Sequence, residues 1–372
     1  MKKKILVFIG ASYVSGLEIV TLHLINELIL SGYDVRCIIN GWNDGVFKEK
    51  LREKNIFWYE VKLGWIHLRK PLWTVDTLIH WPAAYLKCKK ILKNFKPDIC
   101  HFCGYTQIIM ISGLLKNLNC VYNLQEPHIA TKKHLFIYKH LNKRIKIFVG
   151  VSDYIGKVLS DLQIPSKKIK IIYNGIPELT ILPQTNRENE LSTVLGIIGQ
   201  VAAWKGHETL INAVELLSKN TKQKFIVYIF GDQENYYANT LKKKIKDKKI
   251  EQYFEWKGFV KSQDNIYKDV DIIIVPSLSQ EPCSITIIES MMREKILVVS
   301  DRGGNIELVD NNKTGFVFEA NDPIALSNCI LNAIIDPISA SLLASNARKK
   351  ALLNYTSKRM EIDYVHIYSS LY

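Results

Sequence analysis

A chain of 372 residues, 47% of them apolar and 23% charged, is long enough for two ordinary domains and too apolar to be disordered. Its net charge of +14 sits wholly in one half: up to residue 178 there are 27 Lys and Arg against 13 Asp and Glu, while the remainder has 23 of each. Such a field attracts a polyanion, either nucleic acid or an anionic membrane surface, and a Lys-rich genome would enrich both halves alike. Seven scattered Cys, several in apolar strand-like runs, suit reduced thiols in the cytoplasm rather than a disulfide framework. The opening lysines lead into too few apolar residues for a secretory leader, and no apolar run approaches the roughly 18 residues of a membrane span.

Strand 5–9 runs into a loop ending at Gly16, and a helix spaced on Leu17, Val20, Leu24 and Leu28 follows, stopping at Ser31-Gly32. Strand 35–39 completes a βαβ unit. Gly10 and Gly16 stand too far apart for the GxGxxG of a dinucleotide site, which argues against an NAD enzyme. Further strands are predicted at 56–59, 99–102, 120–124, 146–151 and 169–172, with helices between them that include 75–94 and 107–117. The second half repeats the alternation: strand 193–198, helix 207–218, strand 224–230, helix 236–247, then strands 253–257, 272–275, 296–300 and 315–318. Two successive alternating runs mean two doubly wound α/β domains. The polar connector 174–189 separates domain 1–178 from domain 179–357.

Residues 64–96 interleave Trp65, Trp73, Trp81, Leu68, Leu72 and Leu78 with Arg69, Lys70, Lys87, Lys89 and Lys90. A second basic stretch holds six Lys and Arg between 132 and 146. Trp beside Lys and Arg marks a membrane interface; the other reading is a core helix with a solvated basic face. Asp269-Val-Asp271 precedes an apolar strand rather than following one, so it opens that strand. Cys100-His-Phe-Cys103 has no second pair at zinc spacing, and buried thiols explain it. No GxxxxGK[ST] loop is present.

The second domain is organised around 276–307. A loop carrying Glu281 leads into a helix over about 284–293 that carries Glu289, and strand 296–300 then ends in Asp301-Arg302-Gly303-Gly304. A helix that starts at the end of a parallel strand offers free N–H groups and partial positive charge to a diphosphate. Glu281 can equally be a solvated loop carboxylate. Glu289 lies among Ile287, Ile288, Met291 and Met292, where a carboxylate needs a partner.

Glu-x7-Glu with Pro282, followed by Gly303-Gly304-x-x-Glu307, resembles the retaining family-4 glycosyltransferases. That resemblance covers nearly the whole chain. It implies the GT-B fold, two Rossmann-like domains facing across a cleft, with a last helix, 358–372, crossing back to the first domain. It implies that Glu281 holds sugar hydroxyls of the donor and Glu289 the ribose. Gly199-Gln-Val-Ala-Ala-Trp-Lys-Gly206 resembles the family's Gly-Arg-x4-Lys-Gly, so Lys205 grips the diphosphate while Gln200 replaces the Arg. Cys283-Ser284 stands where Phe-Gly is usual, and with Ile285 these residues border the sugar. Val260 follows Gly258-Phe259 where the family flanks the nucleobase. Gly16 remains of a Gly-Gly pair beside the donor phosphates, and His128, in Gln125-Glu-Pro-His128, takes the place of a His near the donor sugar. The activity implied is metal-independent hexosyl transfer from a UDP- or GDP-sugar, with no other cofactor, to a lipid-linked glycan in bacterial surface polysaccharide synthesis. The enzyme would be cytoplasmic, peripheral on the inner face of the membrane. A nucleotide-sugar epimerase or phosphorylase-like enzyme on the same fold, or a non-catalytic nucleic-acid binder, are the rival readings; no nucleic-acid-binding motif supports the last.

Overall fold

The computed structural model describes residues 2–10, 12–64, 71–182 and 192–372. Trp65, Leu68, Arg69 and Lys70 of the Trp-rich stretch, and residues 183–189 of the connector, lie outside the described residues. Two compact units divide the chain: Met1–Pro177 together with Ser357–Tyr372, and Glu178–Thr356.

The first unit contains β1 (Lys4–Ile9), β2 (Asp34–Asn40), β3 (Phe57–Val61), β4 (Ile99–Phe102), β5 (Cys120–Leu124), β6 (Ile147–Gly150) and β7 (Ile169–Ile171), paired in the order β3-β2-β1-β4-β5-β6-β7. The second contains β8 (Ser192–Ile198), β9 (Lys224–Phe230), β10 (Phe254–Gly258), β11 (Ile272–Val275), β12 (Ile296–Ser300) and β13 (Phe316–Phe318), in the order β10-β9-β8-β11-β12-β13. All pairings between these strands are parallel. The central strands are mostly apolar and buried along their length, because a doubly wound sheet has helices on both faces; His101 on β4 and Asn123 on β5 are the buried polar exceptions in them. In the second unit Leu195, Val227, Ile274 and Val298 of the strands interlock with Leu210, Val214, Leu326 and Ile330 of the covering helices.

Both sheets reverse direction beside their first strand. The chain runs outward from β1 to β3 and returns to the other side of β1 with β4; it repeats this from β8 to β10 and back with β11. At such a switch point the loops leaving two neighbouring strands diverge, and a crevice opens at the strands' carboxyl ends.

Observed elements follow the predicted ones within a few residues, with two informative departures. The segment predicted as one helix over 107–117 is a short helix, Tyr105–Met110, and a separate turn, Ser112–Leu115. Gly113 sits under the Tyr85 hydroxyl, where a Cβ would come within 2.8 Å. The helix predicted at 75–94 begins earlier, spanning Pro71–Phe95, with a proline at its first position where the missing N–H costs nothing. The last helix, Ser357–Ser369, groups with the first unit: the Ser357 hydroxyl donates to Glu27, and Tyr368 Oη lies 2.7 Å from His101 Nδ1 on β4.

Candidate active site

The loops leaving β8 and β11 meet at the second unit's switch point, and glycines decide how closely. Gly206 has a left-handed backbone (φ 75°), and a Cβ there would stand 1.8 Å from the Pro276 carbonyl oxygen. Only glycine lets the first loop press its backbone onto the second. The Leu278 N–H adds a bond to the Trp204 carbonyl at 2.8 Å. On the other side, the Gly304 N–H donates to the Glu281 carbonyl at 2.7 Å. A Cβ at Gly303 or Gly304 would overlap the backbone oxygens of Glu281 and Pro282. The Gly-Gly after β12 is therefore a rest for the Glu281 loop.

That closeness brings Lys205 to Glu281. Lys205 Nζ lies 2.6 Å from Glu281 Oε1, with the two side chains 19% and 8% exposed. The buried Ser277 hydroxyl donates to the same oxygen at 2.7 Å, and the Trp204 ring lies 4.1 Å from the ammonium. Glu281 is thus buried and paired, which overturns the reading of a solvated loop carboxylate. Lys205 likewise does not simply project into water.

Directly after this loop, Cys283 and Ser284 are buried, and Ile285 opens the helix Ile285–Met292. Its first amides have no preceding turn to bond. A small cleft beside them is lined by Lys205, His207, Ser277, Ser284 and Thr286. His207, buried at the start of helix His207–Asn220, lies against the Ala202 backbone, and burial holds its pKa down at about 4.

Glu289 stands one helix turn further on with different company. The Tyr267 hydroxyl donates to its Oε2 at 3.1 Å, so the protein itself supplies a partner for this carboxylate. Burial pushes its pKa up to about 7 against the opposing pull of Tyr267 and Arg293. Part of its surface remains open. Gln200 is exposed after β8. Val260 is half-buried beyond β10, at the sheet edge, and Phe259 before it is 82% exposed, which leaves it no core role. Among the described residues no hydrogen bond or ion pair ties Gln200 or Val260 to the Lys205–Glu281 pair. Arg302 lies 3.6 Å from Asp301.

Gly16 and His128 belong to the first unit. Gly16 opens helix Gly16–Leu30, where Ser15 donates through its N–H and hydroxyl to Glu18 at 2.9 and 2.6 Å. His128 Nδ1 lies 2.8 Å from Tyr138 Oη, and its ring faces that of His134 at 5.1 Å. Burial, aided by His134, lowers its pKa to about 4, so the imidazole is neutral at physiological pH. At this unit's own switch point Gln107 is fully buried with neither amide atom bonded, close under Gly10, and Glu18 keeps a buried oxygen without a partner. Sequence reasoning missed Gln107, Glu18, Ser277 and His207. The last two carried a signal: Ser277 lies four residues before Glu281, and His207 directly follows Lys205-Gly206.

The weaker motifs resolve as structure. Asp271 Oδ2 accepts the Val194 N–H at 2.8 Å, tying the start of β11 to β8. Cys100 and Cys103 are buried free thiols, and among the described residues no group of three His, Cys, Asp or Glu side chains could hold a metal ion.

The family description Glycosyltransferase Family 4 matches residues 14–178, and Glycosyl transferases group 1 matches residues 180–350. The chain is similar to spore coat protein SA of Bacillus subtilis, at 26% identity over 59% of this chain and 64% of that protein. It is also similar to the Escherichia coli UDP-Gal:alpha-D-GlcNAc-diphosphoundecaprenol alpha-1,3-galactosyltransferase, at 25% identity over 74% and 76%. The first of these alignments spans less than two thirds of the relative's own length. The crystal structure of Anabaena Alr3699/HepE in complex with UDP superposes with a TM-score of 0.85 over all of both chains at 19% identity, which shows the fold alone. Two matched descriptions covering nearly all of the chain, laid over two doubly wound units, make it a member of glycosyltransferase family 4 with the GT-B fold.

Proposed function

We propose that the protein moves a hexose from a UDP- or GDP-sugar to a lipid-linked glycan, with retention at the anomeric carbon and without a metal. The product would be a bacterial surface polysaccharide, assembled at the cytoplasmic face of the membrane. One observation carries the reading: the Lys205–Glu281 pair at the switch point, directly before the amino end of helix Ile285–Met292. A departing nucleoside diphosphate gathers negative charge while the sugar ring becomes positive. An ammonium and a row of helix amides, oriented beforehand, meet that charge without reorganising water. A phosphate that takes Lys205 Nζ releases Glu281 Oε1 for sugar hydroxyls. Glu289, half-open to solvent, suits ribose hydroxyls. Gln200 offers an amide where the family has a guanidinium, so more of the neutralisation falls to Lys205. His128, neutral and held by Tyr138, is assigned to the transferred sugar by resemblance. The name of the E. coli relative, with its diphosphoundecaprenol acceptor, and the basic first half support a lipid-linked acceptor.

A thermal-shift panel of UDP, GDP and their sugars tests the reading, since a ligand that binds only the folded state raises Tm by mass action. One nucleotide series should raise Tm, equally so after EDTA. A flat panel contradicts the donor site, and a shift abolished by EDTA contradicts metal-free binding. Hydrolysis or epimerisation without acceptor would favour the epimerase, and tight RNA binding with a flat panel the nucleic-acid binder. The anomeric configuration of the product, read by NMR, tests retention.

A further inference from the structure

Helix Pro71–Phe95 of the first unit has two apolar faces and only one of them is covered. Its inward stripe, Thr77, Ala84, Cys88, Ile91 and Phe95, is buried in the unit. On the opposite side Leu72, Val75, Ile79, Ala83 and Leu86 recur at steps of three and four, so they form a single stripe down the helix. Leu72 is 80% exposed, Ile79 69% and Leu86 64%. The same stripe continues after Leu86 as Lys90 and Lys93, both exposed, with Lys87 and Lys89 flanking it. A surface helix ordinarily turns charge outward; this one turns outward four turns of apolar side chains and ends in lysines. Contiguous exposed apolar surface of this kind marks something that covers it.

The second basic stretch adjoins this helix. The Trp81 indole donates to the Met110 carbonyl at 2.8 Å, Tyr85 stands over Gly113, and Arg144 donates to the Ser112 hydroxyl at 3.1 Å. Helix Pro71–Phe95 and the end of the 132–146 stretch therefore border the same short segment, 110–113. On that second stretch Phe136 is exposed beside Lys132, Lys133 and Lys139, and Ile129 is exposed just before it.

We infer that this face docks the first unit on an anionic lipid surface, with the apolar stripe entering the interface and the lysines meeting the headgroups. The inference rests on the lipid-linked acceptor proposed above and names the surface that reaches it. Charge complementarity decides the occupant. The half of the chain that bears the stripe carries the whole +14, which a second copy of the same basic face would repel. Nucleic acid would use the lysines but gives a row of Leu, Val and Ile nothing to bury against.

Co-sedimentation of the full chain with vesicles of phosphatidylcholine, alone or with one third phosphatidylglycerol, tests this at low and high salt. Binding to the anionic vesicles is expected, falling about tenfold or more in high salt. Leu72→Glu with Ile79→Glu should each lie in solvent in the folded protein and together reduce binding at least about tenfold. Lys89→Glu with Lys90→Glu and Lys93→Glu should do the same, while both variants keep the wild-type nucleotide thermal shift. Absence of binding to anionic vesicles at low salt overturns the inference, and so does equal binding to both vesicle types. It is also overturned if these substitutions abolish RNA binding or a concentration-dependent dimer while vesicle binding is absent. A retained nucleotide shift in any of these outcomes leaves the donor site standing, so the two failures are distinct.

Discussion

The two units share one topology and use it differently. In the second, the loops at the switch point are locked together by backbone: Gly206 on the Pro276 carbonyl, Gly303 and Gly304 on Glu281 and Pro282. Its charged groups answer each other, Lys205 to Glu281 and Asp271 to the Val194 amide. In the first, the equivalent loops keep polar atoms that the protein does not satisfy: both amide atoms of Gln107 and one oxygen of Glu18. The second unit's loops form a rigid frame around one ammonium, suited to a diphosphate of constant shape. The buried Gln107 amide and one Glu18 oxygen of the first unit are left to meet polar groups of a ligand. A buried polar atom without a partner costs about 1–3 kcal/mol, so the Gln107 amide and the Glu18 oxygen leave a place for a ligand.

The strongest way to break that contrast is Gly206→Ala. The added Cβ lies well inside contact distance of a backbone oxygen, and the left-handed φ adds strain, so the loops must part. We expect transfer to be undetectable and Tm to fall by several degrees, read by radiolabelled sugar transfer and calorimetry. Wild-type turnover would show that the close approach is not needed.

Next come Lys205→Ala and Glu281→Gln. Removing the Lys205 ammonium, a preorganised donor, from a developing anion costs roughly 3–4 kcal/mol, a fall of about 10²–10³ in kcat. Breaking a partly buried pair also destabilises, by about 1–3 kcal/mol once the remaining solvent exposure is allowed for. The double substitution should regain part of the stability but none of the activity. Recovery of activity with stability would reduce the pair to a strut.

The smallest effect is the pH response of Glu289. Its folded pKa, raised to about 7, lies above the ordinary carboxyl value. The folded state therefore holds a proton that the unfolded state has lost, and stability declines as pH rises through roughly 4.5 to 7. Ribose hydroxyls bond better to the ionised form, so nucleotide affinity should rise severalfold between pH 6 and 8, with proton release. The histidines His128 and His207, held near 4, do not titrate in that window. Glu289→Gln should flatten the profile; an unchanged profile would place the titration elsewhere.

Much of this frame was legible because parallel strands buried on both faces read as plain apolar runs, as in Ile272–Val275 and Ile147–Gly150. The Glu281, Glu289 and Gly303-Gly304 spacing was legible because it encodes a local strand–loop–helix–strand path. The meeting of Lys205 with Glu281 was not, since they are 76 residues apart and brought together by backbone contacts at Trp204 and Gly206 that have no local signature. Tyr267, the partner of Glu289, was hidden in the same way, 22 residues upstream. The bend after Met110 was missed because apolar spacing continues through it.

The direct test of the central claim is calorimetric titration of UDP and GDP into the wild type and Lys205→Ala. One nucleotide should bind the wild type and lose at least about tenfold in affinity in the variant, whose Tm stays within a few degrees. Equal affinity in both proteins, or binding of neither nucleotide to the wild type, would contradict it.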